Sequence, residues 1–442
     1  MSSKSESVVT NGSVNPALVP KLRFPEFRST EGWTPVTLQE ASTPVTERVG
    51  ERKLTPVSIS AGIGFVPQAE KFGRDISGNQ YQVYTLVNDG DFVFNKGNSL
   101  KFPQGCIYLL QGWGQVAAPN VFICFRLKDG YSSSFYQQCF EQNQHGRQLK
   151  RHITSGARSN GLLNISKDTF FGVEISIPRI AEQQKIADCL SALDELIAAQ
   201  ARKVDVLKTH KKGLMQQLFP REGETQPRLR FPEFQNVEDW EESPLSKFIL
   251  SLDAGVSVNS GDRPAGKTEF GVLKTSAVTS GIFEPNENKV VFKEGEQYRL
   301  KEAVRGGTII ISRMNTPSLV GANAYVESNY ENIFLPDRLW AAKPRQGVSM
   351  RFLAFILGSA QGRTALSKLA KGSSGSMKNI TKPEVLAFSV MAPSPAEQQR
   401  IASCLSSLDD LITAETQKLD TLKTHKKGLM QQLFPSPDEA AA

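Results

Sequence analysis

Apolar residues in one stretch of this chain fall at Ile186, Leu190, Leu193, Ile197, Val204, Leu207, Leu214 and Leu218, in steps of four, three, four, seven, three, seven and four. That spacing is a heptad seam with Gln200 and Lys211 in two of its core positions. The seam returns at Ile401, Leu405, Leu408, Ile412, Leu419, Leu422, Leu429 and Leu433, where Glu415 and Lys426 fill the polar slots. The pattern predicts two long helices, over 179–220 and 394–435, stopped by Pro220 and Pro435. Ser394-Pro395-Ala396-Glu397 supplies the cap, first-turn proline and third-position Glu of a capping box, and Pro178 opens the first helix more weakly. At ~1.5 Å per residue, ~38 residues make a rod of ~55–60 Å, which cannot cover its own seam. Its twin is the expected partner, antiparallel because the intervening segment must bring the chain back; polar residues in the seam cost stability but fix register. The alternative is two separate amphipathic helices, each packed on its own domain.

Outside these segments the period changes. Short β-rich runs, GDFVFN (Gly90–Asn95), APNVFICFRL (Ala118–Leu127) and GTIIISR (Gly307–Arg313), alternate with Gly, Asn and Ser loops. A helical pattern follows in each region, SFYQQCFEQNQHGRQLKRHI and then MRFLAFILGSAQGRTALSKLA. Next comes a Gly/Ser-rich basic loop, Ser155–Gly161 or Lys371–Asn379, and a β-like run into the long helix. Both regions read as mixed α/β.

The chain is an internal duplication. The stretch from Ala181 and the stretch from Ala396 agree at about three positions in four and share the ending LKTHKKGLMQQLFP. PKLRFPEF at Pro20 returns as PRLRFPEF at Pro227, and Trp33 answers Trp240. The inserts differ in sequence but keep the order of their pieces: Gly90–Phe94 answers Gly307–Ile311, Pro119-Asn120 answers Pro336-Asp337, and Asn164–Lys167 answers Asn379–Lys382. The expected organisation is a disordered leader at 1–19, a first domain at 20–178, the first helix at 179–220, a linker with the repeated RFPEF at 221–236, a second domain at 237–393, the second helix at 394–435, and a disordered tail at 436–442. A constant frame around two unlike inserts suits a molecule that handles two different things at a fixed separation.

With 442 residues there is room for two or three domains with real cores. The formal charge of +7 permits a polyanionic partner without requiring one. Five scattered cysteines without a CxxC pair argue against a disulfide framework and for a reducing cytoplasm. Four histidines without Cys/His spacing make a zinc site an unfavoured reading. No apolar run approaches the ~18 residues of a membrane span, and the polar start lacks the apolar stretch of a signal peptide.

Several loops carry residue types that suit base edges and phosphates: Asn95, Lys96, Asn98, Ser99, Arg158, Ser159 and Asn160 in the first insert, and Arg313, Asn315, Ser373, Ser374 and Lys378 in the second. Each alone is an ordinary solvated loop residue; their clustering in matched places marks them as candidate DNA contacts. Gly261–Thr268 fits GxxxxGK[ST], but a phosphate-cradling loop needs a buried strand before it and a helix after it. Here a polar, glycine-containing segment precedes and a strand-like EFGVLKTSAVT follows, so the expectation is a basic loop without nucleotide. The chain carries no [ND]PP[FY] run, no glycine-rich SAM loop, no PD-(D/E)xK and no HEXXH. A protein-binding scaffold, and a nucleotide-dependent enzyme using Lys267, remain as competing classes.

These residues resemble the specificity subunit of type I restriction–modification systems, over nearly the whole chain after Pro20. RFPEF (Arg23–Phe27, Arg230–Phe234), the AEQQ-led helix and its LKTHKKGLMQQLFP end are similar to that family's conserved regions. Gln80–Ser99 and Gly271–Lys289 are similar to parts of its target recognition domains. The resemblance implies an α/β fold: two tandem α/β target recognition domains separated by two long antiparallel coiled-coil helices, in pseudo-two-fold arrangement. It implies a non-catalytic chain in which each domain reads one half of a bipartite, asymmetric double-stranded DNA site while the helices set the unread gap. It also implies two modification subunits and two restriction subunits as partners, carrying SAM, ATP and Mg, with no cofactor or metal on this chain. Lys203, Lys208, Lys212, Lys423 and Lys427, on faces away from the seam, are candidate docking surface for those subunits.

Overall fold

The computed structural model describes residues 18–97, 102–153, 163–371 and 377–435. Contacts divide the chain into two units, one of Met1–Arg202 with Gln417–Ala442, the other of Lys203–Thr416. Leu18, assigned above to the leader, belongs to the fold: it exchanges two backbone hydrogen bonds with Trp33. Residues 1–17 of the expected leader, and the expected tail at 436–442, lie outside the described residues.

The first unit holds two four-stranded sheets. In one, Ser42–Pro44, Ile123–Leu127, Phe92–Asn95 and Cys106–Leu109 run antiparallel in that order. In the other the order is Gly64–Pro67, Thr55–Ser60, Gln115–Ala118 and Thr85–Asn88, with the central pair parallel. The second unit repeats both orders. Ile249–Ala254, Leu339–Pro344, Thr308–Ser312 and Asn323–Val326 form its antiparallel sheet. Asn288–Val290, Gly271–Leu273, Tyr330–Phe334 and Ala303–Val304 form its mixed one, again with a parallel central pair.

The apolar runs explain the layering. A continuous apolar strand must be covered on both faces. Phe92 and Phe94 enter the aromatic core of the first unit while Val93 points into a second cluster with Val57, Ile59 and Val116. Ile309 and Ile311 pack with Trp340 and Phe352, and Ile310 packs with Leu273 and Val326. Each predicted helical run is two helices: Ser133–Glu141 and Gln144–Lys150 break at Asn143, whose φ is 57°, and Met350–Gly358 and Ala360–Lys368 break at Ser359, which caps the second through the Gly362 N–H at 3.0 Å.

The long helices run over Ile180–Leu218 and Pro395–Leu433, 39 residues each. Every seam position is buried or half-buried, whereas Leu196, Val206 and Leu411 are exposed. The ends of the seam do not pack only on a helix. Ile186 and Leu190 from the start of the first helix, with Leu433 and Phe434 from the end of the second, lie in the first unit's core. Leu218, Ile401 and Leu405 lie in the second unit's core. Each core is thus built from the beginning of one helix and the end of the other, so packing on the domains contributes alongside any helix pairing.

A repeated latch fixes this arrangement. Arg23 donates to Glu182 at 2.7 and 2.6 Å and to the carbonyls of Thr30 and Glu31 at 2.9 Å. Arg230 does the same with Glu397, at 2.9 and 2.8 Å, and with the carbonyls of Val237 and Glu238. The arginine of RFPEF therefore binds the glutamate of AEQQ. The Glu397 carboxylate goes to Arg230 and Trp240, so the cap of the second helix is one-sided, with the Glu397 N–H on Ser394 Oγ at 3.5 Å. The neighbouring glutamines hold the helix starts, Gln183 on the Pro178 carbonyl and Gln398 on the Pro393 carbonyl, both at 2.9 Å. Phe434 meets Trp33 and Phe135, and Phe219 meets Trp240 and Phe352, at centroid distances of 5.3–6.0 Å.

Candidate nucleic-acid interface

In the second unit, residues far apart in sequence meet at one sheet edge. Met314–Asn315 pairs antiparallel with Lys378–Asn379, which places Asn315 opposite Lys378. Arg313 anchors the same junction: its carbonyl accepts from the Ile380 N–H at 2.9 Å, and its Nε donates to the Asp337 carbonyl at 2.6 Å. The Asn315 side chain shapes its own loop, accepting the Thr316 N–H at 2.9 Å and reaching Ser312 at 3.4 Å. Arg363, which sequence reasoning did not single out, holds that loop from a neighbouring helix through the Ser318 carbonyl at 3.4 Å.

The first unit repeats the juxtaposition with other residues. The Lys96 carbonyl accepts from the Leu163 N–H at 2.9 Å, joining the end of the central strand to the segment after the Gly/Ser-rich loop. Asn95 is 9% exposed, and both ends of its amide are engaged, Nδ2 by the Ile59 carbonyl at 2.8 Å and Oδ1 by the Gly97 N–H at 2.7 Å. It positions the strand end rather than presenting a free reading group. Gly105 sits opposite with φ of 83°; a Cβ there would come within 2.6 Å of the Asn95 carbonyl oxygen and the Phe94 ring. Asn98, Ser99, Arg158, Ser159, Asn160, Ser373 and Ser374 lie outside the described residues.

Charge on the long helices is arranged in matched pairs. Within the first unit Lys426 lies 2.7 Å from Asp194, and within the second Lys211 lies 2.5 Å from Asp409 and Lys203 lies 2.5 Å from Glu415. Lys203, one of the candidate docking residues, is thereby engaged with the facing helix.

The GxxxxGK[ST] segment does not run into a helix. The Gly261 N–H and the Arg263 carbonyl pair with Val290, and a strand, Gly271–Leu273, follows instead of a helix. Arg263 and the Gly266 N–H bind Glu269, whose carboxyl is pulled down to about 2 by that arginine first and the amide second. Two of the loop's anion-binding groups, the Arg263 guanidinium and the Gly266 N–H, are thus already occupied by a carboxylate of the same chain. Among the described residues, no group of three or more His, Cys, Asp or Glu side chains could hold a metal, and no helix is long and apolar enough to cross a membrane. All five cysteines are free; burial raises Cys106 to about 11 and Cys124 to about 12, which keeps both as thiols.

The same α/β frame, with the same strand orders, is built twice in this chain. The family model for the type I restriction modification DNA specificity domain matches residues 77–209 and 237–424, more than half of the chain. The chain belongs to that family and is a type I specificity subunit. It is 26% identical over 293 residues to the type I restriction enzyme MjaVIII specificity subunit of Methanocaldococcus jannaschii, covering 64% of this chain and 66% of that one. It is 23% identical over 263 residues to the EcoKI specificity subunit of Escherichia coli K12, covering 58% and 54%. The chain therefore spans about two thirds or less of the length of these curated relatives. The fold is similar to that of the type I restriction–modification S subunit from M. genitalium, with a TM-score of 0.58 at 14% identity over 95% of this chain and 100% of that one. A chain from a structure of type I restriction–modification complex assembly and conformational transition gives 0.52 at 18% identity, over 92% and 98%.

Proposed function

We propose that this chain reads a bipartite, asymmetric DNA site, one half with each unit, on behalf of a type I complex. The observation that carries the proposal is the repeated juxtaposition at Lys96/Leu163 and at Arg313–Asn315/Lys378–Ile380. One frame presents two chemically different edges, so unlike half-sites follow. Phosphate contacts set register and a few side chains per unit discriminate bases, at about 1–3 kcal/mol for each good bidentate pair. The long helices pair antiparallel as a ruler for the unread gap; the pairs Asp194–Lys426, Lys203–Glu415 and Lys211–Asp409 support this, since partner numbers fall on one helix as they rise on the other. Two modification subunits and two restriction subunits dock on this frame and bring SAM, ATP and Mg, while the chain itself contributes specificity and no catalytic group.

Co-expression with the modification subunit, followed by genome-wide mapping of methylated adenines, tests the proposal. A split motif with a fixed gap is expected, and replacing Trp33–Pro178 changes one half only. A stable complex that leaves no motif would favour the protein-binding scaffold instead.

A further inference from the structure

We propose that Lys71 is a contact of the first unit to a DNA phosphate, set beside the strand end at Asn95–Lys96; the inference rests on the DNA-reading function above. Lys71 lies in the last turn of the short helix Gln68–Phe72 and is exposed as a residue. Its ammonium is nonetheless held in place. Nζ donates to Ser58 Oγ at 3.0 Å and stands 5.4 Å from the Phe72 ring centroid. Ser58, 8% exposed, belongs to the strand Thr55–Ser60, and the next carbonyl on that strand, of Ile59, accepts the Asn95 amide. Gln68 ties the short helix to the same strand through the Val57 carbonyl. Asn95 pairs in register with Cys106, whose thiol lies near the Lys71 amine. Ser58, Lys71, Asn95 and Cys106 therefore form one neighbourhood at the edge where the candidate contacts emerge.

The placement of the charge points to a ligand. Several positioned cations elsewhere sit on carboxylates, Arg126 on Asp91, Lys343 on Asp253 and Glu302, and Lys426 on Asp194, while Lys247 sits on the Ser243 hydroxyl much as Lys71 sits on Ser58. Lys71 is positioned on a neutral hydroxyl, and among the described residues no carboxylate is paired with it. Desolvation pushes its amine below the usual lysine range. Two N–H donors remain after the bond to Ser58. An ammonium lacks the planar fork that suits bidentate base reading and works as a point charge on phosphate oxygen.

The test uses the full chain assembled with its modification subunits and two labelled duplexes, one carrying the mapped motif and one with both half-sites scrambled. Lys71→Ala is expected to weaken both alike, about 3–10-fold at 0.1 M salt, and to reduce the slope of log K against log salt by about 0.9. Lys71→Arg keeps the slope, and thermal melting of both variants matches wild type. If wild type binds but Lys71→Ala keeps the wild-type slope, the assignment of Lys71 falls alone. A loss confined to the motif duplex makes Lys71 a base contact and overturns the phosphate assignment. Wild type without DNA binding overturns the DNA-reading function and this inference together.

Discussion

Replacing Glu397 by glutamine tests what holds the frame. The carboxylate is 1% exposed, and its Arg230 partner is 8% exposed. Arg230 donates to it twice, Trp240 donates to it at 3.4 Å, and the other guanidinium donors go to two carbonyls of the segment after RFPEF. Glu397→Gln keeps the volume but leaves a desolvated cation facing a neutral amide. Removing one partner of a buried ion pair costs about 3–5 kcal/mol, and the retained amide oxygen places this change near ~3. Native-state hydrogen exchange, read by mass spectrometry peptide by peptide, reports the two units separately. A loss of ~3 kcal/mol lowers protection on the order of a hundredfold where exchange follows opening of the whole unit. The expected site of that loss is the central strand Thr308–Ser312, with Phe92–Asn95 changing far less. Glu182→Gln should invert the pattern, because Arg23 and Glu182 make the same latch in the first unit. The double variant Arg230→Met/Glu397→Leu, which removes both charges, should be better protected than Glu397→Gln alone. A loss of protection under about fivefold for Glu397→Gln would refute the latch as a determinant of folding.

Three further outcomes are expected. Phe434→Ala should destabilise the first unit by about 3–4 kcal/mol in urea unfolding, and Phe219→Ala the second by less, since Phe434 is buried and Phe219 half-buried; equal or reversed costs would contradict the packing. His145 lies 5.8 and 6.2 Å from the Phe140 and Phe94 rings, and burial pushes it down from 6.5 to about 4. The fold holds the neutral ring, so its contribution is complete above pH 6.5 and is lost as pH falls toward 4. The loss should reach about 2–3 kcal/mol by pH 4.5 and be absent from His145→Leu in denaturation series at both pH values. Seven-residue insertions made together after Arg202 and after Gln417 preserve the pairs Asp194–Lys426 and Lys211–Asp409. They should lengthen the gap in the methylated motif by at most about three base pairs, because ~10 Å of helix spans that much duplex. A change in either half-site would count against the ruler.

Periodicity carried the long helices and the central strands, because both are set by local spacing: the heptads gave 39-residue helices, and FVF and III gave strands covered on two faces. What local spacing does not encode is where a polar group finds its partner. Glu397 sits where a capping box needs a glutamate, yet its partner is Arg230, 167 residues earlier. A signal existed, since RFPEF and AEQQ recur together, and the joint repetition of two words is evidence for contact. Asn95 followed a strand as a reading residue would, but its burial depends on Ile59, which no motif links to it. Lys71 gave no signal at all, because its place is defined by Ser58 and by the sheet that joins Thr55–Ser60 to the rest. The breaks at Asn143 and Ser359 are each set by the backbone of a single residue, left-handed at Asn143 and extended at Ser359, which apolar spacing does not report.

The uneven divergence of the two halves follows from the packing. The Leu-Phe end of LKTHKKGLMQQLFP is kept in both copies because each phenylalanine enters an equivalent socket, Trp33 with Phe135 for Phe434 and Trp240 with Phe352 for Phe219. The backbone at that end is bonded equivalently, Leu22 N–H to the Gln432 carbonyl and Leu229 N–H to the Gln217 carbonyl, both at 2.9 Å. A close-packed aromatic socket tolerates little change in volume before it costs kilocalories. The strand-end loops face the opposite constraint. Among the described residues there, the backbone is fixed by the ladder of Met314–Asn315 with Lys378–Asn379 and by the Lys96–Leu163 bond, while Lys96, Arg313, Asn315 and Lys378 belong to no apolar core cluster. Substitution there changes what an edge can bind without unseating the domain, which is the condition for one frame to carry many specificities.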